Sequence, residues 1–227
     1  MRSENRPPLF PAFLDLRGKR AVVVGGGDVA ARKARALERC GAELTIVAPR
    51  LCDALAERVR LGSASHRAKR FEVADLAEAQ LVIAATDDPA VNADVADAAH
   101  AAGIAVNVAD DAERSSFVMA SVVERGPLQI AISTSGASPA LARRLHARIE
   151  GAVPEGYGAL ATLAGRYRAA AIRRLADPQA RKRFWARVME GPIAALAIEG
   201  RGTEAREALE RALDEAAAQA AHPEAKR

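Results

Sequence analysis

The stretch "RAVVVGGGDVAARKARALERC", residues 20–40, decides the fold class. Its first five residues form a mostly β-branched apolar run, which is typical of a buried parallel strand. Three glycines follow, and then a helix that ends before Gly41. Residues 25–30 match the pattern G-x-G-x-x-A, in which the first glycine permits a tight turn and the second lets a phosphate group approach the backbone. The stretch therefore predicts the first strand and helix of a dinucleotide-binding sheet.

The alternation of strands and helices continues to residue 110. Further strands are predicted at 43–47, near Phe71, at 81–86 and at 104–110, with helices at 52–61 and 88–102. Asp88 followed by Pro89 is a typical helix start. This order predicts an α/β fold, a Rossmann-like, doubly wound parallel sheet whose ligands bind at the carboxyl ends of the strands.

The pattern changes after residue 115. Two strand-like runs joined by residues 125–127 predict an antiparallel pair, followed by a loop and a helix that begins at Ser138 and Pro139. From Val153 onward the chain is predicted to be helical, with breaks at Pro178 and Pro192 and a frayed end at 222–227. A small α+β region and a helical carboxyl-terminal region therefore follow the parallel sheet.

Composition narrows the classes of function. The 227 residues are 50% hydrophobic and 27% charged, as in a globular protein. The net charge is +4, but basic residues are interleaved with acids and aromatics make up only 4%, which argues against nucleic acid. A small polyanionic substrate would use the same charge.

No apolar run could span a membrane and the start lacks the features of a signal peptide, so a cytoplasmic protein is expected. Cys40 and Cys52 lack metal-ligand spacing, and no metal site is predicted.

The end of the second strand leaves the cofactor type open. Ala48, Pro49 and Arg50 stand where an acid would normally hydrogen-bond the ribose of NAD. Arg50 could accept the 2′-phosphate of NADP or stack on adenine. Asp28 could bind a ribose hydroxyl or simply favour the helix dipole.

Two further places could carry substrate chemistry. Asp110 follows the last parallel strand, where a carboxylate could act as a general base during hydride transfer or could merely cap a turn, as adjacent Asp111 could. The segment "STSGASP", residues 133–139, precedes a helix and is a candidate anion site. Arg143 on that helix could attract substrate carboxylates or belong to a solvated basic face.

Taken together, these stretches resemble the precorrin-2 dehydrogenase family, which includes the amino-terminal half of sirohaem synthase. The resemblance lies in "FPAFLDLRGKRAVVVGGGDVAARKA", "LVIAATDDPAVNADVADAA", "VNVADDAERSSFVMASVVERGPLQIAISTSGASPALARRLHARIE" and, more weakly, "RKRFW". It implies NAD-dependent oxidation of precorrin-2 to sirohydrochlorin in sirohaem biosynthesis, followed in some members by ferrous iron insertion at the same site. It also implies a homodimer with an NAD-binding Rossmann domain at 1–115, a dimerisation region at 116–152 and a helical domain at 153–227.

The resemblance also implies roles for individual residues. Asp110 matches the catalytic aspartate of the family. By position, Asp28, Val29, Pro49 and Arg50 fall where family members contact NAD. The glycine motif and the ends of the strands add Gly25, Gly26, Gly27, Thr86, Asp87 and Asn107 to the predicted cofactor contacts. The hydroxyl-rich loop and the helix after it supply the predicted substrate contacts, which are Ser133, Thr134, Ser135, Gly136, Ser138 and Arg143.

The departures from the family pattern are small. Ala120 replaces a frequent proline, and Ser133 with Thr134 replaces a serine pair. The absence of a methyltransferase segment is typical of a stand-alone dehydrogenase. The main alternative is a non-catalytic NAD-sensing module, which would share the glycine turn but would not need Asp110.

Overall fold

A computed structural model describes residues 8–221. The expectations for the two ends of the chain, no signal peptide at the start and fraying at 222–227, involve residues outside this range. The chain divides into two compact units. The first runs up to Met119 and includes Ser135–Ala137, and the second consists of Ala120–Thr134 and the chain from Ser138 onward.

The first unit is built on a five-stranded parallel sheet with the order β3-β2-β1-β4-β5. Its strands are β1 (Arg20–Val24), β2 (Glu43–Val47), β3 (Ala64–Arg67), β4 (Leu81–Ala84) and β5 (Ala105–Val108). Its helices are α1 (Asp28–Arg39), α2 (Asp53–Arg60) and α3 (Pro89–Ala101), and a 3₁₀ turn spans Val73–Leu76. The predicted Rossmann-like, doubly wound fold is confirmed, and its strand order reverses between β1 and β4, where such folds bind ligands.

The apolar run of β1 serves two cores at once. Ala21 and Val23 pack in the cluster that contains Ala30 and Ala34 of α1, whereas Val22 and Val24 pack in the cluster that contains residues of α3. Side chains alternate between the faces of a strand, so a sheet covered by helices on both faces needs apolar residues at every position.

The prediction of a strand near Phe71 was wrong. The third strand is Ala64–Arg67, and its sequence "ASHR" buries only Ala64. As an edge strand it pairs with β2 alone, so it lacks the continuous apolar run that marks the central strands. Phe71 instead packs as a partly buried side chain against the core on the α3 face.

The second unit begins with an antiparallel hairpin, as predicted. It pairs β6 (Ser121–Arg125) with β7 (Leu128–Ile132). The helices that follow are α4 (Pro139–Ala152), α5 (Gly156–Arg174), α6 (Pro178–Glu190), α7 (Pro192–Ile198) and α8 (Gly202–Ala221). Pro178 and Pro192 each stand at the first position of a helix, which explains why the helical pattern breaks there. Among residues 8–221, no helix is both long and apolar enough to cross a lipid bilayer.

Asp75 ties the connection between β3 and β4 together. Its buried carboxylate accepts hydrogen bonds from Arg67 Nη1 at 2.6 Å and from the backbone N–H of Glu72 at 3.0 Å, and Lys69 Nζ lies 3.2 Å away. Burial by itself raises the pKa of Asp75, but the hydrogen bonds from Arg67, Glu72 and Lys69 outweigh burial and hold this pKa below its ordinary value. The ionised carboxylate therefore stabilises the folded state.

We expect Asp75→Asn to lower the free energy of unfolding at pH 7 by about 1–3 kcal/mol, because the donors around this buried position lose their charged acceptor. A depressed folded-state pKa contributes stability above the ordinary carboxyl pKa, and this contribution is lost as the pH falls through the folded-state value. Urea unfolding of wild type and variant should therefore converge in acid. Exposed Asp97→Asn serves as the control. An unchanged difference between pH 7 and pH 3 would contradict this account.

Candidate functional site

The glycine turn between β1 and α1 is imposed by the backbone around it. Gly25 has a φ of +128°, and a side chain there would overlap the carbonyl of Ala85. A side chain on Gly26 would overlap the carbonyl oxygen of Arg50. A Cβ on Gly27, in contrast, would meet no atom within 4 Å. The surrounding backbone therefore explains why glycine stands at positions 25 and 26, but it does not explain the glycine at position 27.

A cleft of about 830 Å³ opens at the carboxyl ends of the strands in the first unit. It is lined by Val24–Val29, Val47–Arg50, Lys69–Phe71, Ala85–Asp88, Val91, Asp94, Ala109 and Asp110. The structure thus brings together Asp110 and all of the predicted cofactor contacts except Asn107. Their roles in binding stay predictions.

The start of α1 suits an anion. Its N-cap position is Gly27, which supplies no side chain to cap the first N–H groups of the helix. Unpaired N–H groups at a helix N-terminus, together with the helix dipole, form a general phosphate site. Buried Ala30 lets the helix pack closely against the sheet. The free space beside Gly27 therefore leaves the first turn of α1 open to a ligand.

Thr86 and Asp88 shape the cleft at the end of β4. Asn92 Oδ1 accepts hydrogen bonds from the backbone N–H of Thr86 at 3.0 Å and from its hydroxyl at 2.8 Å. Asp88 caps α3 by accepting from the N–H of Ala90 at 2.9 Å, as predicted. These bonds fix the loop that carries exposed Asp87.

The neighbouring acids Asp110 and Asp111 have different surroundings. Asp111 accepts hydrogen bonds from the N–H groups of Glu113 and Arg114, at 3.0 and 3.1 Å, and so caps the turn. Asp110 is exposed and lines the cleft, and within the described part of the chain no hydrogen bond or ion pair occupies its carboxylate. Its φ of +60° is unusual for a residue with a side chain. The geometry leaves Asp110 available for chemistry.

Asn107, one of the predicted cofactor contacts, lies behind the cleft wall. Its side chain is buried and is not among the lining groups. Its Oδ1 accepts a hydrogen bond from Lys33 Nζ at 2.7 Å, and its Nδ2 donates to the carbonyl of Phe117 at 3.1 Å. Asn107 therefore joins α1 to the segment after β5, three residues before Asp110.

The predicted substrate contacts lie in the loop between β7 and α4 and on α4. The hydroxyl of Thr134 accepts from the N–H of Ser138 at 3.1 Å, and Ser138 caps α4 by accepting from the N–H of Leu141. Ser135 and Gly136 both have positive φ, and Arg143 is exposed. None of the six residues (Ser133, Thr134, Ser135, Gly136, Ser138 and Arg143) lines the cleft of the first unit. Their substrate role stays a prediction.

Sequence reasoning missed several side chains of the cleft. Lys69, Arg70 and Phe71 line it from the segment after β3, and Asp94 lines it from α3. Lys69, Arg70 and Phe71 were missed because the strand was predicted near Phe71, so that these residues did not fall after a strand end, whereas β3 ends at Arg67. Asp94 lies in the second turn of α3, and nothing in the sequence pattern marks it as a site residue.

Comparison with known proteins gives family matches between residues 12 and 213. Residues 12–121 match the family model "NAD(P)-binding", residues 125–152 match "Sirohaem biosynthesis protein central", and residues 156–213 match "Sirohaem synthase dimerisation region". The first unit is thus an NAD(P)-binding domain. The dimerisation label falls on 156–213, so its assignment to 116–152 stays a prediction.

Similar proteins agree with these matches. The siroheme synthase of Nitrosospira multiformis is 46% identical over 209 residues, which are 90% of this chain and 44% of that protein. The siroheme synthase of Azotobacter vinelandii is 46% identical over 211 residues, 93% of this chain and 46% of that protein. The chain therefore spans less than half the length of these relatives.

A solved structure matches over most of the chain. "SirC, precorrin-2 dehydrogenase" superposes with a TM-score of 0.71 and 25% identity, and covers 89% of this chain and 100% of that one. Family matches that follow one another along the sequence, relatives aligned over nine-tenths of the chain, and this structure all agree. Over most of its length the chain is therefore similar to a precorrin-2 dehydrogenase and to part of the siroheme synthases.

Proposed function

We propose that this chain oxidises precorrin-2 to sirohydrochlorin, with NAD as the hydride acceptor and Asp110 as the general base. The observation that carries the proposal is that the glycine turn after β1 and Asp110 after β5 line one cleft. A volume of about 830 Å³ lies within the range of sites for cofactors and substrates. The similarity to a precorrin-2 dehydrogenase supports the choice of substrate.

Different residues of the cleft would have different roles in such a reaction. Bound NAD would supply the acceptor for the hydride that the macrocycle loses. The backbone at Gly27 and the first turn of α1 hold the pyrophosphate. The Asp110 carboxylate accepts the proton that the substrate releases with the hydride, so that two electrons and two hydrogens leave the substrate. Because no group among residues 8–221 hydrogen-bonds to or forms an ion pair with the Asp110 carboxylate, the carboxylate can act without first breaking an internal bond.

The charges of the cleft favour NAD over NADP. Five carboxylates line it, namely Asp28, Asp87, Asp88, Asp94 and Asp110, against three basic groups, namely Arg50, Lys69 and Arg70. Lys69 is already paired with Glu72 and Asp75. An additional 2′-phosphate would enter a cleft with excess negative charge, which weakens its binding. Without these charges NADP could also bind, because the acid after β2 that would normally reject a 2′-phosphate is absent.

Arg50 provides a test of this preference. We expect Arg50→Ala to weaken NAD binding about threefold to tenfold, through loss of contact with adenine or phosphate, and to weaken NADP binding more. Titration calorimetry with both dinucleotides measures the two changes. Exposed Arg35 on α1 lies outside the lining set, and Arg35→Ala is the matched control. Tighter binding of NADP than of NAD by the wild type would contradict the assignment of NAD.

The central experiment is a spectrophotometric assay of purified protein with freshly prepared precorrin-2 and NAD, with NADP in a parallel arm. We expect NADH and the sirohydrochlorin spectrum to appear together. A non-catalytic NAD-sensing module would bind NAD but would neither bind precorrin-2 nor produce NADH. That outcome would replace the proposal with the alternative.

Ferrous iron insertion into sirohydrochlorin is a second candidate, favoured by the same unpaired carboxylate. Chelation requires a base to remove the pyrrole protons, and Asp110 is available for that step. Across residues 8–221 no cluster of three or more metal-capable side chains occurs, so in this scheme the macrocycle supplies the ligands. Iron insertion assayed without NAD tests it, and no rate above the protein-free rate would exclude this activity.

We also propose that the chain forms a homodimer. The match of residues 156–213 to a dimerisation region supports this assembly. Light scattering coupled to gel filtration should give about twice the 23.9 kDa mass of the chain. A monomer at micromolar concentration would contradict the proposal.

A further inference from the structure

Lys33 occupies an unusual position for a lysine. It lies on α1, and its side chain is partly buried. Its Nζ donates to Asn107 Oδ1 at 2.7 Å and lies 3.9 Å from the sulfur of Met119. Burial lowers the pKa of Lys33, the charge of Arg32 lowers it further, and the negative charge of Asp110 partly offsets both effects.

Partial burial makes the ammonium of Lys33 costly. Met119, whose sulfur lies near Lys33 Nζ, packs against the core cluster on the α1 face. A methionine or leucine at position 33 could contribute to that cluster without the cost of desolvating a charge. Packing alone therefore does not explain why a lysine stands there.

The contacts of Lys33 lead to Asp110. Asn107 is three residues before Asp110, and its amide group joins Lys33 to the carbonyl of Phe117. At the end of β5, the N–H of Val108 donates to Ser115 Oγ at 2.9 Å, and Ser115 Oγ donates to the carbonyl of Asp111 at 2.6 Å. Asp110 thus lies in a short segment that is held by hydrogen bonds before it, at Asn107 and Val108, and after it, at Asp111. The bond from Lys33 to Asn107 connects this segment to α1.

We propose that Lys33 is a positioning residue for the reaction, which holds Asn107 and thereby the end of β5 that presents Asp110 to the cleft. Lys33 is not among the lining groups, so it acts through Asn107 and not by touching the substrate. This inference rests on the proposed function of Asp110 as the base.

The variant Lys33→Met keeps the length and apolar stem of the side chain but removes the charge and the hydrogen bond. We expect the kcat for precorrin-2 to fall roughly 10- to 100-fold, since small displacements of a catalytic group have effects of this size. The KM and the NAD dissociation constant should stay within about threefold, because the glycine turn is untouched. Lys33→Arg, which keeps a charged donor, should recover part of the loss. Lys19→Met, at an exposed lysine of the same unit, is the control.

Two results would overturn the proposal. One is a Lys33→Met enzyme with kcat within twofold of wild type. The other is a loss in which kcat, NAD affinity and melting temperature fall together and Lys33→Arg recovers nothing, since this would indicate a structural role.

A measurement on the wild type needs neither a variant nor activity. In ¹⁵N NMR at low temperature, the ammonium signal of Lys33 should persist through its bond to Asn107, while that of Lys19 is lost to exchange with water. Equally fast exchange of both would overturn the inference even if Lys33→Met fails to fold. Failure of the proposed function appears separately, as a wild type that does not oxidise precorrin-2.

Discussion

Asp110→Asn is expected to lower the kcat for precorrin-2 oxidation by about 10²- to 10⁴-fold, the usual contribution of a general base. The amide has nearly the same shape as the carboxylate but cannot take a proton at neutral pH. Because the Asp110 side chain has no protein partner among residues 8–221, the variant should fold and bind NAD as the wild type does. Initial rates of NADH formation, together with NAD titration, measure both quantities.

The control for this variant is Asp97→Asn. Asp97 is an exposed carboxylate of the same unit, outside the lining set, and its replacement changes the net charge equally. It should leave kcat within about twofold, as expected for a surface substitution. An Asp110→Asn enzyme with a near-normal rate would remove Asp110 from the mechanism and leave the cleft as a binding site only.

The second large effect concerns the glycine turn, where two similar substitutions should behave differently. Gly25→Ala places a side chain at a φ of +128° and against the carbonyl of Ala85. We expect it to lower the free energy of unfolding by on the order of 3 kcal/mol, since both strain and a backbone clash must be relieved. Urea unfolding measures this loss.

Gly27→Ala should leave stability nearly unchanged, because a Cβ at this position meets no protein atom within 4 Å. It should nevertheless weaken NAD binding about tenfold or more, equivalent to ~1.4 kcal/mol, because the methyl group enters the space assigned to the pyrophosphate. Each variant is the control for the other. Unchanged NAD affinity in a folded Gly27→Ala protein would place the pyrophosphate elsewhere.

Much of the fold could be predicted because its signals are local. The apolar strands flanked by glycine, the caps at Asp88 and Ser138, and the helix starts at Pro178 and Pro192 each depend on a few neighbouring residues. The cleft-lining glycines and Asp110 could likewise be anticipated, because the ends of parallel strands share one edge of a sheet. Their functional roles stay predictions until the variants above are measured.

The sequence by itself determined the order of strands and helices and the chemistry available at the strand ends. Only the tertiary structure decided that β3 is the short edge strand, that Asn107 lies behind the cleft wall, and that Lys33 reaches Asn107. Lys33 and Asn107 are far apart in the sequence and belong to different elements. Their contact depends on the pairing of β1 with β4 and of β4 with β5 and on the packing of α1 on the sheet, which no local pattern encodes.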